Sequence, residues 1–283
     1  MDTSQEFPPQ DFRVTTRSGT SIAFSPDGRC LASVDSGENV RIWDAATGES
    51  LQELKGHVWS VAFSPDGRRL ASGLVNGMVD VRDAATGVRL RQLNGHTTWV
   101  RTVAFSADGC HLASGSWDHT VRVWDTATGV CIKQLRHDDA VSSVAFSPDG
   151  HYLASAGYDA IHVWDFAKES PVIQKRLKRN LYRSNVSFSA DGSVLRVEFP
   201  QGPPVQLHFP SLEMIDNPHP SPFYLDENSL CVKHQGLTLR LCWLPDYFHP
   251  FTPVTQHGNR VCVGGWHGMI AFVDLDQFAL PDL

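Results

Sequence analysis

The sequence FSPDGRCLAS at residues 24–33 returns three more times in nearly the same form. The other copies are FSPDGRRLAS at 63–72, FSADGCHLAS at 105–114 and FSPDGHYLAS at 146–155, and FSADGSVLRV at 188–197 is a weaker fifth copy. From one Phe to the next the spacing is 39, 42, 41 and 42 residues. A constant period of about 20–50 residues indicates a repeat architecture in which each copy is one structural unit.

Each copy belongs to the same succession of apolar runs and turns. In the third copy the runs are VRTVAFS, HLASGS, TVRVWD and CIKQL, with Asp-Gly after the first run and Thr-Gly after the third. Because Gly accepts positive φ and Asp bonds its local backbone, these turns favour four consecutive antiparallel strands. A unit of about 40 residues cannot bury both faces alone, so the copies must stack, and a ring leaves only short edges. The sequence therefore predicts an all-β protein, a β-propeller.

Two short signatures recur in these copies, a Trp-Asp pair that ends the third run and a Gly-His pair that precedes the first. They occur as RIWD at 41–44, RVWD at 122–125 and HVWD at 162–165, and as Gly-His at 56–57 and 95–96. These motifs resemble WD40 repeats over residues 20–170. Within that family, the sequence pattern FSPDGRxLASxS…VRxWDAATG is most similar to the WD40 sensor regions of fungal NACHT-type signalling proteins. The resemblance implies a propeller that binds other proteins.

The alternation of runs and turns continues after the clear copies and predicts seven blades in a single domain over 1–283. Blades one to four lie at about 20–175, and the degenerate blades five to seven lie at about 184–276. The last copy ends after its third run, so FRVTT at 12–16 is expected to supply the fourth strand and close the ring. Between Trp243 and Gly258 there is little room, so one of the two strands expected there must be short.

Composition excludes several classes of protein. With 41% hydrophobic and 19% charged residues the chain is globular rather than disordered. Its net charge of -7 argues against overall attraction to nucleic acid or anionic membranes. The six cysteines include no CxxC pair, so we expect reduced, mostly buried thiols. The sequence shows neither a signal peptide nor an apolar run long enough to span a membrane, and we expect a cytoplasmic protein, with the nucleus as the alternative.

The WD40 resemblance implies a hydrogen-bonded chain of His, Ser, Asp and Trp in each complete blade. Its members would be His96, Ser114, Asp118 and Trp124 in blade three, and His137, Ser155, Asp159 and Trp164 in blade four. Buried polar groups must be paired, so such a chain fixes the packing of the blade. A hydrolase interpretation is disfavoured because no GxSxG motif occurs and Trp belongs to each set. Blade two departs from the pattern, with Asn76 and Arg82 at the Asp and Trp positions.

Five aromatic residues fall in turns at one end of the predicted propeller. They are Trp59, Trp99, Trp117, Tyr158 and Trp266. Exposed aromatics on a rigid surface are frequent binding hot spots, so we expect them to contact a partner. The alternative is that they pack on neighbouring loops. The loop of blade two is three residues shorter than those of blades three and four, which predicts a notch beside Trp59.

The expected function is a non-enzymatic scaffold, without cofactor or metal, whose top face binds a protein or peptide partner as a sensor or adaptor in signalling. We expect a monomeric ring within a larger complex. The basic run KRLKR at 175–179 is followed by Arg183, and we interpret it as the solvated edge of an outer strand. The alternative is that the run is a nuclear localisation signal or a phosphate contact, which would favour a chromatin or transcriptional co-regulator scaffold. A further class is an enzyme or metal site in the central channel, which would need converging carboxylates or a metal set from several blades, and the sequence shows neither. Separately, His249 and His257 near Asp246 are conceivable metal ligands, but a loop rich in Pro and Phe is more often packing.

Overall fold

The computed structural model describes parts of the chain with gaps between them. The described residues are 11–12, 21–34, 38–166, 171–177, 181, 184–199, 205–215, 223–226, 229–234, 237–243, 254–257, 260–264 and 270–274. Their regular elements are strands, nearly all of them in four-stranded antiparallel sheets, so the predicted all-β class is confirmed. This part of the chain holds no helix with the length and hydropathy needed to cross a membrane.

The strands are short, and most contain four to six residues. In chain order they are β1 (Asp11–Phe12), β2 (Ile22–Phe24), β3 (Cys30–Val34), β4 (Val40–Asp44), β5 (Ser50–Leu54), β6 (Val58–Phe63), β7 (Arg69–Leu74), β8 (Val79–Asp83), β9 (Arg89–Leu93), β10 (Val100–Phe105), β11 (His111–Ser116), β12 (Thr120–Asp125), β13 (Cys131–Arg136), β14 (Ser143–Phe146), β15 (Tyr152–Ala156), β16 (Ala160–Asp165), β17 (Pro171–Arg176), β18 (Asn185–Phe188), β19 (Val194–Glu198), β20 (Val205–His208), β21 (Glu213–Met214), β22 (Phe223–Asp226), β23 (Ser229–His234), β24 (Leu237–Trp243), β25 (Val254–His257), β26 (Arg260–Gly264) and β27 (Ile270–Asp274).

The chain divides into two compact units, and the larger one spans residues 20–218. It contains five antiparallel sheets, each made of four strands that are consecutive in the chain. We number them sheet one (β2–β5), sheet two (β6–β9), sheet three (β10–β13), sheet four (β14–β17) and sheet five (β18–β21). The first strands of successive sheets lie next to one another, so the repeats of the sequence pack side by side.

A repeated hydroxyl link joins the first strand of each sheet to the next sheet. The hydroxyl oxygen of a Ser or Thr on one strand accepts a hydrogen bond from the backbone N–H of a Val on the next. The four links run from Val61 to Ser21, from Val103 to Ser60, from Val144 to Thr102 and from Val186 to Ser143, at 3.1 to 3.3 Å. In each of these four repeats the hydroxyl residue precedes an Ala-Phe pair by two positions, so its recurrence in the sequence has a direct structural cause.

The FSxDG motif builds the turn between the first and second strands. In sheet three, the Ser106 hydroxyl donates to an Asp108 carboxylate oxygen at 2.5 Å and accepts from the His111 backbone N–H at 2.9 Å. Gly109 has a φ of 69°, in the left-handed region where a side chain is disfavoured. The same Ser, Asp and Gly geometry recurs in all five sheets. The motif is therefore a structural signature of the turn.

The hydrophobic core lies between neighbouring sheets. One cluster, for example, combines Val79 and Val81 of sheet two with Val103, Leu112 and Trp124 of sheet three. Each sheet thus buries its apolar side chains against the next, as the stacking of repeats requires.

The expectation of mostly buried thiols is wrong for Cys110. This residue is exposed, because it directly follows Gly109 in the Asp-Gly turn at the surface. Cys30 and Cys131 are partly buried, and all three of these thiols are free.

The smaller unit comprises residues 1–19 and 219–283. Its described strands form a three-stranded sheet, β22-β23-β24, and a four-stranded sheet in the order β1-β27-β26-β25. In the second sheet Asp11 pairs with Ala271 and Phe12 pairs with Ile270. The amino-terminal strand therefore completes the last sheet at its outer edge. Residues 13–16 of the predicted closing strand, and the segment where a fourth strand of the sixth copy would lie, fall outside the described residues.

Candidate functional site

Sheet three contains a continuous chain of hydrogen bonds through four side chains. The indole N–H of Trp124 donates to the Ser114 hydroxyl at 2.8 Å, and Ser114 Oγ lies 2.7 Å from His96 Nε2. His96 Nδ1 lies 2.8 Å from Asp118 Oδ2. Since a carboxylate only accepts, the Nδ1–H of His96 donates to Asp118. The chain of hydrogen bonds therefore joins Trp124, through Ser114 and His96, to Asp118.

Asp118 ends this chain and collects several donors. The backbone N–H groups of Thr97 and Thr120 donate to it at 3.0 Å each, and the Thr120 hydroxyl donates at 2.6 Å. Burial acts to raise the pKa of Asp118, but the hydrogen bonds from His96 and Thr120 outweigh it and hold the pKa well below its usual range. These hydrogen bonds tie the connection between β9 and β10 to strands β11 and β12.

Sheet four departs from the predicted arrangement. Trp164 donates to Ser155 at 2.9 Å, as in sheet three, but His137 and Asp159 are not joined. Asp159 is half-exposed and lies 3.6 Å from the Arg176 guanidinium. The prediction of a four-membered chain here is therefore wrong beyond its Trp-Ser half. Two differences accompany this change: Ala160 replaces bridging Thr120 at the start of the third strand, and the turn of sheet four is one residue shorter, since Ser155 pairs with His162 where Ser114 pairs with Arg122.

His137 instead stacks on His162, which occupies the position of Arg122 in sheet three. The two ring centroids are 3.9 Å apart with an angle of 12° between the planes. Both residues are buried, and their ring nitrogens make no hydrogen bond of normal geometry among the described residues. Burial, with the adjacent His162, lowers the pKa of His137 to about 4, and burial also lowers the pKa of His162. Both imidazoles are therefore neutral near pH 7.

The stacked histidines do not form a metal site of ordinary geometry. The lone pair of an imidazole lies in the plane of its ring, and two nearly parallel planes 3.9 Å apart do not converge on one ion. Within the described residues, no group of three or more His, Cys, Asp or Glu side chains is placed to hold a metal. Of the conceivable ligands His249, His257 and Asp246, none has a described side chain.

On its third strand, sheet two has an aspartate and an arginine at the two positions where sheet three has Arg122 and Trp124. Asp80 stands at the position of Arg122, and Arg82 stands at the position of Trp124. The guanidinium of Arg82 donates to Asp80 at 3.0 Å and to the Gly87 carbonyl at 3.2 Å. Sequence reasoning recorded Arg82 only as a departure and missed Asp80. Aligning the third strands position by position would have revealed both changes.

A cavity of about 320 Å³ lies in sheet two beside this ion pair. It is lined in part by Lys55 and His57 from the connection between β5 and β6, and by Arg82 and Arg89. That connection contains residues 55–57, against residues 94–99 between β9 and β10. The cavity thus lies at the shorter loop, although Trp59, beside which the loop length predicts a notch, is not among its lining residues.

Three of the five predicted rim aromatics contact one another and form a tryptophan row (Trp59, Trp99 and Trp117). The Trp59 and Trp99 rings stack with centroids 5.6 Å apart, and the Trp99 and Trp117 rings stack at 4.7 Å. All three are half-buried. The rings pack on one another, as the packing alternative expects. They also keep part of their surface exposed, as contact with a partner would require.

Arg101 extends the tryptophan row at one end and was not predicted. Its guanidinium carbon lies 4.5 Å from the centroid of the Trp59 ring, a cation–π distance. Trp59 and Arg101 occupy the same bulged position in the first strands of sheets two and three. Aligning VWSVAF with VRTVAF in the sequence would have placed them together.

The structure describes one of the remaining two predicted rim residues. Tyr158 is at the turn between β15 and β16 and is about one-third exposed, at 36%. Trp266 lies outside the described residues. Of the basic run, Arg176 lies on β17 and pairs with Asp138 and Asp159 at 3.8 and 3.6 Å, which places part of the run on an outer strand.

Comparisons with known proteins agree with the repeats and the sheets. A family model described as "IFT122 first beta-propeller" matches residues 57–202, just over half of the chain. A model described as "WD domain, G-beta repeat" matches residues 13–44. The "Uncharacterized WD repeat-containing protein alr3466" of Nostoc sp. is 57% identical over 37 residues, which are 13% of this chain and only 2% of that relative. The chain therefore belongs to the WD40-repeat β-propeller family, in the group that the model of the IFT122 first beta-propeller describes.

Proposed function

We propose that this chain is a non-enzymatic scaffold that binds a protein or peptide partner through the surface carrying the tryptophan row. WD40 propellers generally mediate protein–protein interactions, and the family is generally non-enzymatic. The observation that carries the proposal is the stack of Trp59, Trp99 and Trp117 on loops and strand ends of two adjacent sheets.

The energetics of the tryptophan row favour binding. Stacking within the row restricts the rotation of each tryptophan side chain. The side chains therefore lose little further conformational entropy when a partner binds. Trp117 stacks on Trp99, and no further ring contact of Trp117 occurs in the part of the chain that the structure describes. Trp117 keeps part of its surface exposed, and a rigid apolar ring of this kind is common at interface hot spots. A partner side chain stacked there would extend the row by one member.

The proposed architecture is one ring of seven blades over residues 1–283, closed by the amino-terminal strand. Support comes from the five similar sheets of the larger unit and from the two sheets formed by the described strands of the smaller unit. The pairing of β1 with β27 is the kind of contact that such a closure needs. A closed ring would hold the loops of sheets two and three rigidly, which suits a preorganised binding surface.

The resemblance to fungal NACHT-type sensor regions supports a cytoplasmic role in ligand sensing or signalling as the biological setting of this scaffold. The chromatin or co-regulator alternative rests on KRLKR, and the ion pairs of Arg176 with Asp138 and Asp159 leave fewer unpaired charges for it. An enzyme in the central channel would instead require side chains of several blades that converge on one substrate.

A pull-down with matched variants tests the proposal. We expect Trp117→Ala to weaken partner binding by about 2 kcal/mol, or roughly 30-fold, because it removes the end of the tryptophan row. Ile132→Ala is the control, since Ile132 is an exposed apolar residue on outer strand β13. Both variants should unfold in urea at concentrations close to the wild type. Equal recovery of the same partner by Trp117→Ala and wild type would refute the proposed surface.

A further inference from the structure

The cavity in sheet two has an unusual charge for this protein. Its lining includes three cationic side chains, Lys55, Arg82 and Arg89, and one carboxylate, Asp80. The lining therefore carries a net charge of about two positive units by this count, in a chain whose net charge is -7. A local excess of one sign in a recess attracts ligands of the opposite sign.

Asp80 does not neutralise these cations. Its side chain is 4% exposed, and one of its oxygens, Oδ2, faces both Arg82 at 3.0 Å and Arg89 at 3.6 Å. The other oxygen accepts from the Gln92 amide at 3.2 Å. One carboxylate thus orients two guanidinium groups while Lys55 stays exposed at the same cavity. Arg89 is half-exposed, so its remaining N–H donors are available to an incoming group.

The shape of the cavity follows from the same substitutions. In sheet three the indole of Trp124 is almost fully buried and bonded to Ser114. In sheet two the slender Arg82 takes that position, and its bonds to Asp80 and Gly87 hold its guanidinium in place. His57, unlike buried His96, is 79% exposed in its side chain and lies 2.8 Å from Glu38. Where sheet three has a buried tryptophan, sheet two therefore has a cavity lined by basic side chains, which we call the basic recess.

We propose that this recess binds an anionic side chain, a carboxylate or phosphate group, of the peptide partner. Guanidinium groups bind both anions through paired N–H donors, and Lys adds a point charge. The inference rests on the proposed function, because the anion belongs to the same partner that contacts the tryptophan row. His57 of the recess precedes Trp59 of the row by two residues, so one short peptide can reach both.

The test uses fluorescein-labelled peptides with a Gly-Ser host sequence that carries glutamate, phosphoserine, serine or lysine at the guest positions. Fluorescence anisotropy should show binding of the glutamate and phosphoserine peptides and not of the serine and lysine peptides. The binding should weaken as salt rises, because partly exposed charges are screened. Tighter binding of phosphoserine would identify a phosphorylated partner, and equal binding would identify an acidic segment.

Variants assign the binding to the recess. Arg89→Ala and Lys55→Ala should each weaken binding of the anionic peptides by about tenfold, the effect of losing one charge-assisted contact. Arg91→Ala is the matched control, because Arg91 lies on the same strand but opposite Val81, on the other face of the sheet. Asp80→Asn removes the competing carboxylate and should tighten binding. Wild-type affinity in both Arg89→Ala and Lys55→Ala would overturn the proposal.

The failure of this inference can be told apart from the failure of the proposed function. If Trp117→Ala loses the natural partner while Arg89→Ala and Lys55→Ala recover it in full, the tryptophan row binds the partner and the recess does not. If all three variants recover it in full, the proposed surface itself is wrong.

Discussion

Replacement of Asp118 by alanine is expected to lower the free energy of unfolding by about 2–3 kcal/mol, because it removes a buried acceptor of charge-assisted hydrogen bonds. His96 Nδ1 and the Thr120 hydroxyl would lose the carboxylate that they contact at 2.8 and 2.6 Å. Urea-induced unfolding, followed by circular dichroism, measures this loss.

Asp159→Ala provides a control at the same position of the next repeat. Asp159 is half-exposed and interacts with Arg176 rather than with His137, and surface ion pairs of this kind contribute about 0–1 kcal/mol. The two substitutions are identical in chemistry and differ only in what the aspartate contacts. A loss for Asp159→Ala as large as that for Asp118→Ala would contradict the structure of sheet four.

Acidification is expected to destabilise the protein between pH 6.5 and about 4 through His137. In the unfolded chain the imidazole takes up a proton near its ordinary pKa of 6.5, whereas in the folded protein the pKa is lowered to about 4. The stabilisation is therefore complete above pH 6.5 and is lost as the pH falls to the folded pKa. The shift corresponds to about 3 kcal/mol at most, and His162, with its own lowered pKa, adds to it.

The charged groups around the histidine pair set the size of this effect. Asp138 and Asp159 favour protonation of His162, and Arg176 opposes it. Asp118 contributes in a lower pH range, because its pKa is lowered in the folded protein. Its stabilisation is complete above its ordinary pKa of 3.8 and is lost as the pH falls from there through the lowered folded pKa.

Urea unfolding at a series of pH values tests the histidine effect with two variants. His137→Phe retains an aromatic ring against His162 but does not titrate, so its stability should vary much less between pH 6.5 and about 4. Ile132→Ala, which alters an exposed side chain without a titratable group, should keep the slope of the wild type. A slope in His137→Phe equal to that of the wild type would show that other groups cause the acid sensitivity.

The features of the fold that sequence predicts best are those built from contacts between near neighbours. Ser106, Asp108 and Gly109 bond and turn within six residues of chain, so FSxDG is sufficient to place the turn and hence the strands beside it. The side-by-side stacking also follows, because the first strand of every repeat carries the same pattern and a single sheet cannot bury its faces.

The prediction for sheet four fails because the family motif specifies four residues, whereas the geometry also depends on the residues and the turn around them. Thr120 bridges Asp118 and His96 in sheet three, whereas sheet four has Ala160 at that position and a turn that is one residue shorter. With both changes, Asp159 lies beside Arg176 and His137 stacks on His162. A match at His, Ser, Asp and Trp is thus insufficient evidence of the hydrogen-bonded chain.

The candidate site was predictable in part. Composition and position identified the three members of the tryptophan row, but their stacking depends on the register of two sheets, which pairs the bulged residues Trp59 and Arg101. Loop length indicated the notch in sheet two. Its basic character was missed because Arg82 was treated as the loss of a motif residue rather than as a group with its own chemistry, and Asp80 was overlooked.

Hydroxyl-radical footprinting of the complex between this chain and its captured partner is the most direct test that the tryptophan row is the contact surface. The expected result is strong oxidation of Trp117 in the free chain and protection of Trp117 in the complex. Val88 and Val130, exposed residues that each precede an outer strand, should be oxidised equally in both. Unchanged oxidation of Trp117 on binding, with protection at Val88 or Val130, would contradict the proposed function.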